Sequence, residues 1–293
     1  MNKRIENEIR KIYISVFNKV YKTVKKEKIL YSKNKQEKID DIILRLENSK
    51  KYKEFAEKFA KELSKRGYDL ILVARSKDKL EELKKELKTH IEIEIMDLSI
   101  KENVYKLYEK YQGKIDLLIN NAGFGAFGKF SETTLENELN MIDLNITAYH
   151  ILTKLFLQDF VKKDNGTILN VASSAAFEPG PLMATYYATK SYVYNLSMGI
   201  YEELRRDRSN VKIHILCPGP VDTGFNDRAH VKFSVKSLKS IDVVKYTLKK
   251  IKKNKLIIIP SLSIKLGVFA NRLLPRKTIV KIIYKIQQSK KIK

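Results

Sequence analysis

Short runs rich in Val, Ile and Leu recur along this chain of 293 residues, each followed by a longer segment of helical periodicity. The pattern predicts strands over 69–74, 91–95, 115–119, 167–172, 211–216 and 256–259, with helices in the gaps, including 76–88 and 132–161. Near-continuous apolar strands are covered on both faces, and parallel neighbours need a crossover such as a helix. The expected fold class is therefore α/β, a Rossmann-like doubly wound parallel sheet. Ile42-Ile43-Leu44-Arg45-Leu46-Glu47 stands where a first strand belongs. The sheet domain is thus expected over 41–293, with 1–40 as a basic helical extension. In that extension Ile5, Ile9, Ile12, Val16, Val20 and Val24 recur at helical spacing, with lysines between them.

Ligands of such sheets bind beyond the carboxyl ends of the strands, and the polar motifs of this chain collect there. Asn120-Asn121-Ala122-Gly123 follows one run, Ser173 ends another, and Pro218-Gly219-Pro220-Val221-Asp222-Thr223 follows a third. Asn145 lies inside the long helical segment, in Asp143-Leu144-Asn145-Ile146-Thr147. Tyr186 and Lys190, in Tyr186-Tyr187-Ala188-Thr189-Lys190, are four apart and share one face of a helix. An ammonium beside a phenol favours phenolate, so such a tyrosine can exchange a proton with an alcohol or carbonyl oxygen near neutral pH. Ser173, from the end of a strand, could hydrogen-bond the same oxygen.

With these motifs in this order, residues from about 56 to 285 resemble the short-chain dehydrogenase/reductase family, and most its bacterial single-domain members. The resemblance implies a tetrad of Asn145, Ser173, Tyr186 and Lys190. Tyr186 would be the acid/base, Ser173 would orient the carbonyl, Lys190 would hold the nicotinamide ribose, and Asn145 would anchor a relay water. It also implies cofactor contacts by Asn121, Gly123, Val221 and Thr223 besides Tyr186 and Lys190, and Asp97 at the adenine ring. Arg75 directly follows the run at 69–74, where an acid would bind a free 2′-hydroxyl and an arginine instead pairs with a 2′-phosphate. NADP is therefore expected in preference to NAD. Apolar residues Phe177, Pro179, Met183 and Phe225 are expected around the substrate. Pairing of copies through 132–161 and 184–206 is what the family implies.

One part of the family pattern is absent. A dinucleotide turn needs glycines so that backbone can approach the pyrophosphate closely, yet the first glycine of the chain is Gly67. The stretch 48–56 holds Lys50, Lys51 and Lys53 instead. Three readings stand side by side: the lysines attract the phosphates; hydride transfer has been lost and a binding role kept; or residues 1 to about 55 are not the native start of the domain.

Charge is placed unevenly. Residues 1–40 hold 12 Lys/Arg and 5 Asp/Glu, and residues 239–293 hold 16 Lys/Arg and one acid, so the two ends supply +22 of the formal +24. Basic ends beside apolar residues point to an anionic membrane surface or an acidic acyl carrier, whereas no nucleic-acid-reading motif is present. The single cysteine, Cys217, excludes a disulfide framework, and the absence of a leader or spanning run fits a cytoplasmic setting, peripheral at a membrane at most. His90, His150, His214 and His230 have no metal-ligand spacing, so no metal is expected. The leading expectation is an NADP-dependent oxidoreductase acting on a ketone or secondary alcohol with an apolar or acyl-type body. The alternative is a non-catalytic relative that binds a ligand, membrane or partner.

Overall fold

The computed structural model describes residues 41–45, 52–222 and 237–288. The extension over 1–40, the residues 46–51 of the glycine-free stretch, Thr223 and Phe225 lie outside the described residues.

The strands β1 (Asp41–Arg45), β2 (Asp69–Ala74), β3 (Ile91–Ile95), β4 (Leu117–Asn120), β5 (Thr167–Val171), β6 (Lys212–Leu216) and β7 (Ile257–Ile258) form one sheet in the order β3-β2-β1-β4-β5-β6-β7. Every neighbouring pair is parallel. β1 lies between β2 and β4, with Ile43 opposite Ile71 on one side and Leu118 on the other. The chain winds outward in one direction from β1 and in the other from β4. That reversal creates the crevice where a doubly wound sheet binds its ligand.

Alternate strand residues feed opposite layers, as the pleat requires. Leu70 and Leu72 pack with Phe59 and Leu63 of α1 (Tyr52–Ser64), Leu80 of α2 (Lys77–Glu86), and Val243 and Leu248 of α7 (Ser240–Ile251). Ile71 and Val73 pack on the other face with Leu107 of α3 (Lys101–Tyr111), Phe156 and Phe160 of α5 (Ala148–Lys162) and Leu204 of α6 (Ala184–Arg206). The helix expected over 132–161 is divided. α4 (Leu135–Ile142) passes into a π-turn, Asp143–Thr147, before α5 begins. Past β7 come α8 (Leu262–Asn271), whose first turn is capped by the Ser261 hydroxyl accepting from Ile264 N, and α9 (Arg276–Gln288).

Candidate active site

The site is assembled where β4, β5 and β6 end and α6 begins. Asn145 comes from the π-turn and is fully buried. Its amide Nδ2 donates to Phe124 O (2.8 Å) and to Thr189 Oγ1 (3.0 Å), while its Oδ1 accepts from Phe124 N (3.0 Å). Thr189 in turn donates to the carbonyl oxygen of Tyr186 (2.8 Å). One side chain therefore ties the loop after β4 to the first turn of α6. Thr189 was not singled out in the sequence, although it stands between Tyr186 and Lys190 and faces Asn145.

Lys190 is 4% exposed. Its ammonium donates to Val171 O (3.0 Å) at the end of β5 and lies 5.9 Å from the Tyr186 ring centroid and 5.5 Å from that of Tyr149. The electron-rich ring faces offset part of what burying a cation costs. Tyr186 is half-buried beside Tyr187, with ring centroids 6.1 Å apart. Tyr187 is packed flat on Gly180, and its hydroxyl accepts from Gln287 Nε2 (2.6 Å). Burial pushes the Tyr187 phenol well up, with Glu178 adding to the effect, so it stays neutral.

Ser173 lies two residues beyond Val171. Its Oγ accepts from Ala175 N (3.1 Å) and so opens the 3₁₀ turn Ser174–Phe177. Ser174 N donates to Pro218 O (2.8 Å), which joins the ends of β5 and β6. Beneath these ends, Asn120 Nδ2 donates to Asn170 Oδ1 (2.9 Å) and Thr153 Oγ1 (3.1 Å), and Asn170 Nδ2 donates to Ser197 Oγ (2.9 Å). This buried network fixes β4 to β5 and both to the helices behind, at the level where the site starts. An Asn at the end of one apolar strand and one residue before the end of another was its only signal in the sequence.

Gly123 leaves room that no other residue would. A Cβ there would stand 2.8 Å from Asn145 Oδ1 and 3.3 Å from Lys190 Nζ. Asn121, two residues before it, is buried. Val221, beyond the Pro218-Gly219-Pro220 turn, forms a parallel bridge with Leu238.

Arg75 and Asp97 form a pair rather than two separate contacts. Arg75 Nη1 donates to Asp97 Oδ2 (3.0 Å) at the ends of β2 and β3. Burial raises the Asp97 carboxyl, but hydrogen bonds from Ser99 N and Oγ, together with the Arg75 charge, outweigh it and hold the carboxyl below its usual value. Asp97 closes an Asx turn with Ser99, and the helix that follows is entered at Ile100 without a side-chain cap.

Two titratable groups near the site are core. His214, 1% exposed, donates from Nδ1 to Lys255 O (2.9 Å), and burial lowers its pKa to about 4. Burial likewise pushes the Cys217 thiol far up. Among the described residues no three His, Cys, Asp or Glu side chains gather as metal ligands.

The bare backbone at Gly123 is a close cradle for the Asn145 amide and the Lys190 ammonium, which a single methyl group would fill.

A family model described as short chain dehydrogenase matches residues 53–232, beginning inside the glycine-free stretch over 48–56. An uncharacterized oxidoreductase of Staphylococcus epidermidis is 32% identical over 170 residues, covering 57% of this chain and 73% of the relative. The very-long-chain 3-oxoacyl-CoA reductase of Homo sapiens is 32% identical over 158 residues, half of each chain. Among solved structures, a short-chain dehydrogenase from Sphingobium yanoikuyae in complex with NADPH is similar, with a TM-score of 0.70 and 26% identity. That likeness covers 80% of this chain and 93% of the other.

Proposed function

The chain belongs to the short-chain dehydrogenase family of NAD(P)-dependent oxidoreductases, and on that footing we propose that it interconverts a ketone and a secondary alcohol with NADP. The observation that carries the proposal is the Lys190 ammonium. It is buried, pinned to Val171 O, and set one helical turn from the Tyr186 phenol and against the Gly123 backbone.

In the reducing direction the Tyr186 hydroxyl gives its proton to the carbonyl oxygen of the ketone, and in the oxidising direction it takes the proton back. Ser173 Oγ already accepts from Ala175 N, so its own O–H is the natural donor to the same oxygen. Lys190, Gly123 and Asn121 would hold the nicotinamide riboside, and Arg75 and Asp97 the adenosine end. When bound, the nicotinamide supplies the hydride to the carbonyl carbon or takes it away. Asn145 keeps the loop after β4 and the first turn of α6 in register, so that donor and acceptor meet. Preference for NADP is supported by the Arg75 guanidinium, whose planar fork suits a phosphate. Phe177, Pro179 and Met183, on the segment between Ser173 and Tyr186, favour a substrate with an apolar or acyl body.

NADPH consumption against a panel of apolar ketones, together with calorimetric NADPH titration, tests this reading. Tyr186→Phe should still bind NADPH while turnover falls by about 10²–10⁴-fold, the usual share of general acid catalysis. Undiminished turnover in that variant would remove Tyr186 from the mechanism. A folded wild-type chain that bound no NADPH would instead favour the non-catalytic reading, which the glycine-free sequence over 46–51 motivates.

A further inference from the structure

α8 is an apolar helix that buries none of its residues. Its sequence, Leu262-Ser263-Ile264-Lys265-Leu266-Gly267-Val268-Phe269-Ala270-Asn271, carries one charge, and no side chain in it is fully covered. Leu262, Leu266 and Phe269, with Leu273 just past the helix end, follow a 4-3-4 spacing and make one stripe. They are 71%, 61%, 56% and 71% exposed. The opposite face holds the helix to the body. Ile264 packs on Gly219, where a Cβ would come within 2.7 Å of it, and Asn271 Nδ2 donates to Glu178. α8 is thus anchored on the turn after β6 and on the segment that follows Ser173, with its apolar stripe turned away from both.

Isolated exposed leucines need no explanation, but four in one helical stripe do. The same surface continues on α9, where Val280, Ile282, Tyr284 and Ile286 are 37–42% exposed while Ile279, Ile283 and Gln287 face inward. Exposed cations border the stripe: Arg272, Arg276, Lys277, Lys281 and Lys285. Residues 262–288 contain six Lys/Arg and no Asp or Glu.

Charge decides among the occupants. A second copy would set this cationic face against itself. An interface that is apolar at its centre, ringed by cations and free of acids is complementary to an anionic lipid surface. We propose that α8 and the first turns of α9 lie in the headgroup layer of an anionic membrane, with the α8 stripe immersed. The helix, about 15 Å long at 1.5 Å per residue, then lies in the plane of the surface. No helix of the described residues is long and apolar enough to cross a membrane, so the contact is peripheral. Because α8 rests on the turn after β6 and on the segment that follows Ser173, docking brings the site to the bilayer. An apolar ketone could then enter without crossing water. That last step rests on the catalytic reading; the docking does not.

The full chain is sedimented with phosphatidylcholine vesicles and with one-to-one phosphatidylcholine/phosphatidylserine vesicles, without cofactor or substrate. Binding should require phosphatidylserine and weaken as salt rises. The exposed pair Leu266→Glu/Phe269→Glu should reduce vesicle affinity at least about tenfold, as expected when apolar side chains must leave the lipid boundary. Its circular dichroism and melting should be unaltered. Arg276→Glu/Lys277→Glu should weaken binding comparably. Three results would overturn the proposal: no binding to either vesicle by the folded protein; equal binding by the wild type and the α8 pair, which would assign the affinity to lysines elsewhere; or oligomers that the α8 pair disperses while vesicles are ignored, which would make the stripe a self-interface. Loss of activity with NADPH would leave the docking result standing, so the two readings fail separately.

Discussion

Gly123→Ala should damage this protein, whereas Gly199→Ala should strengthen it. At Gly123 the new methyl group would stand 2.8 Å from Asn145 Oδ1, closer than a carbon and an oxygen can rest, and 3.3 Å from Lys190 Nζ. Neither neighbour yields cheaply. Asn145 is fully buried and held by three hydrogen bonds, and the Lys190 ammonium is pinned to Val171 O. If Oδ1 retreats, the buried Phe124 N–H loses its acceptor, at about 1–3 kcal/mol, and the two bonds of Nδ2 weaken by about 0.5–1.5 kcal/mol each. Against this, alanine contributes about 0.4–1 kcal/mol through the unfolded chain. The net loss is about 1–6 kcal/mol, up to a large part of the stability of an ordinary domain, or roughly 2–20 °C in melting temperature. Gly199 lies exposed within α6 with nothing within 4 Å of its Cβ position, so there the same change should gain about 0.5–1 kcal/mol. Urea unfolding of the two variants measures both signs. Turnover of Gly123→Ala should fall about a hundredfold as Asn145 and Lys190 shift, while Gly199→Ala keeps it. A Gly123→Ala protein as stable and active as the wild type would show that the loop after β4 yields freely, and the argument for a fixed cradle would fall.

Arg75→Ala should lower NADPH affinity by one to two decades, the equivalent of a charge-assisted contact of about 1.5–3 kcal/mol, and leave NADH nearly unaffected. Its half-exposed pair with Asp97 contributes only about 0–1 kcal/mol to folding, so melting should barely move; an equal loss for both cofactors would take Arg75 away from the 2′-phosphate. His214, whose folded pKa of about 4 lies below the unfolded value of 6.5, contributes stability that is present above pH 6.5 and lost as the pH falls through 4. The loss approaches about 3 kcal/mol. Urea unfolding of His214→Phe should show a shallower dependence on pH across that window, and an unchanged slope would mean that another group sets it.

The sheet was legible because its inner strands are buried on both faces, so that β2 stands out as an apolar run, while the edge strand β3 shows as an Ile-Glu alternation; both have the bounds expected for them. β1 was legible through the apolar run Ile42-Ile43-Leu44, although the sequence after it lacks the glycines that would have marked it. The last strand was overestimated, since of the apolar run over 256–259 only Ile257 and Ile258 pair in register with β6, while Leu256 merely accepts from Ile215 N. The motif residues could be placed at strand ends, but the ties among them could not. Arg75 and Asp97 are 22 residues apart and meet only because β2 and β3 are neighbours in register, with Ala74 opposite Ile95. Thr189 reads as one more residue of a helix until Asn145, 44 residues earlier, is brought against it.

Asn145 itself shows why periodicity is blind at one decisive point. The buried positions Met141, Asn145, Ala148, Leu152 and Phe156 follow one another at intervals of three or four, as in a plain α-helix, so nothing in the pattern interrupts the segment. The backbone does interrupt it: Ala148 N donates to Asp143 O, five residues back, where an α-helix would reach four. A widened turn weakens the helix, and it persists only where other contacts repay it. Here the repayment is visible, because the Asn145 amide satisfies both the N–H and the C=O of Phe124 and reaches Thr189 as well. Those bonds depend on where the loop after β4 and the start of α6 lie, and both are placed by the sheet. The turn is a consequence of tertiary structure imposed on a sequence that would otherwise be helical throughout. That origin explains why it falls at the one residue of α4–α5 that the proposed site needs.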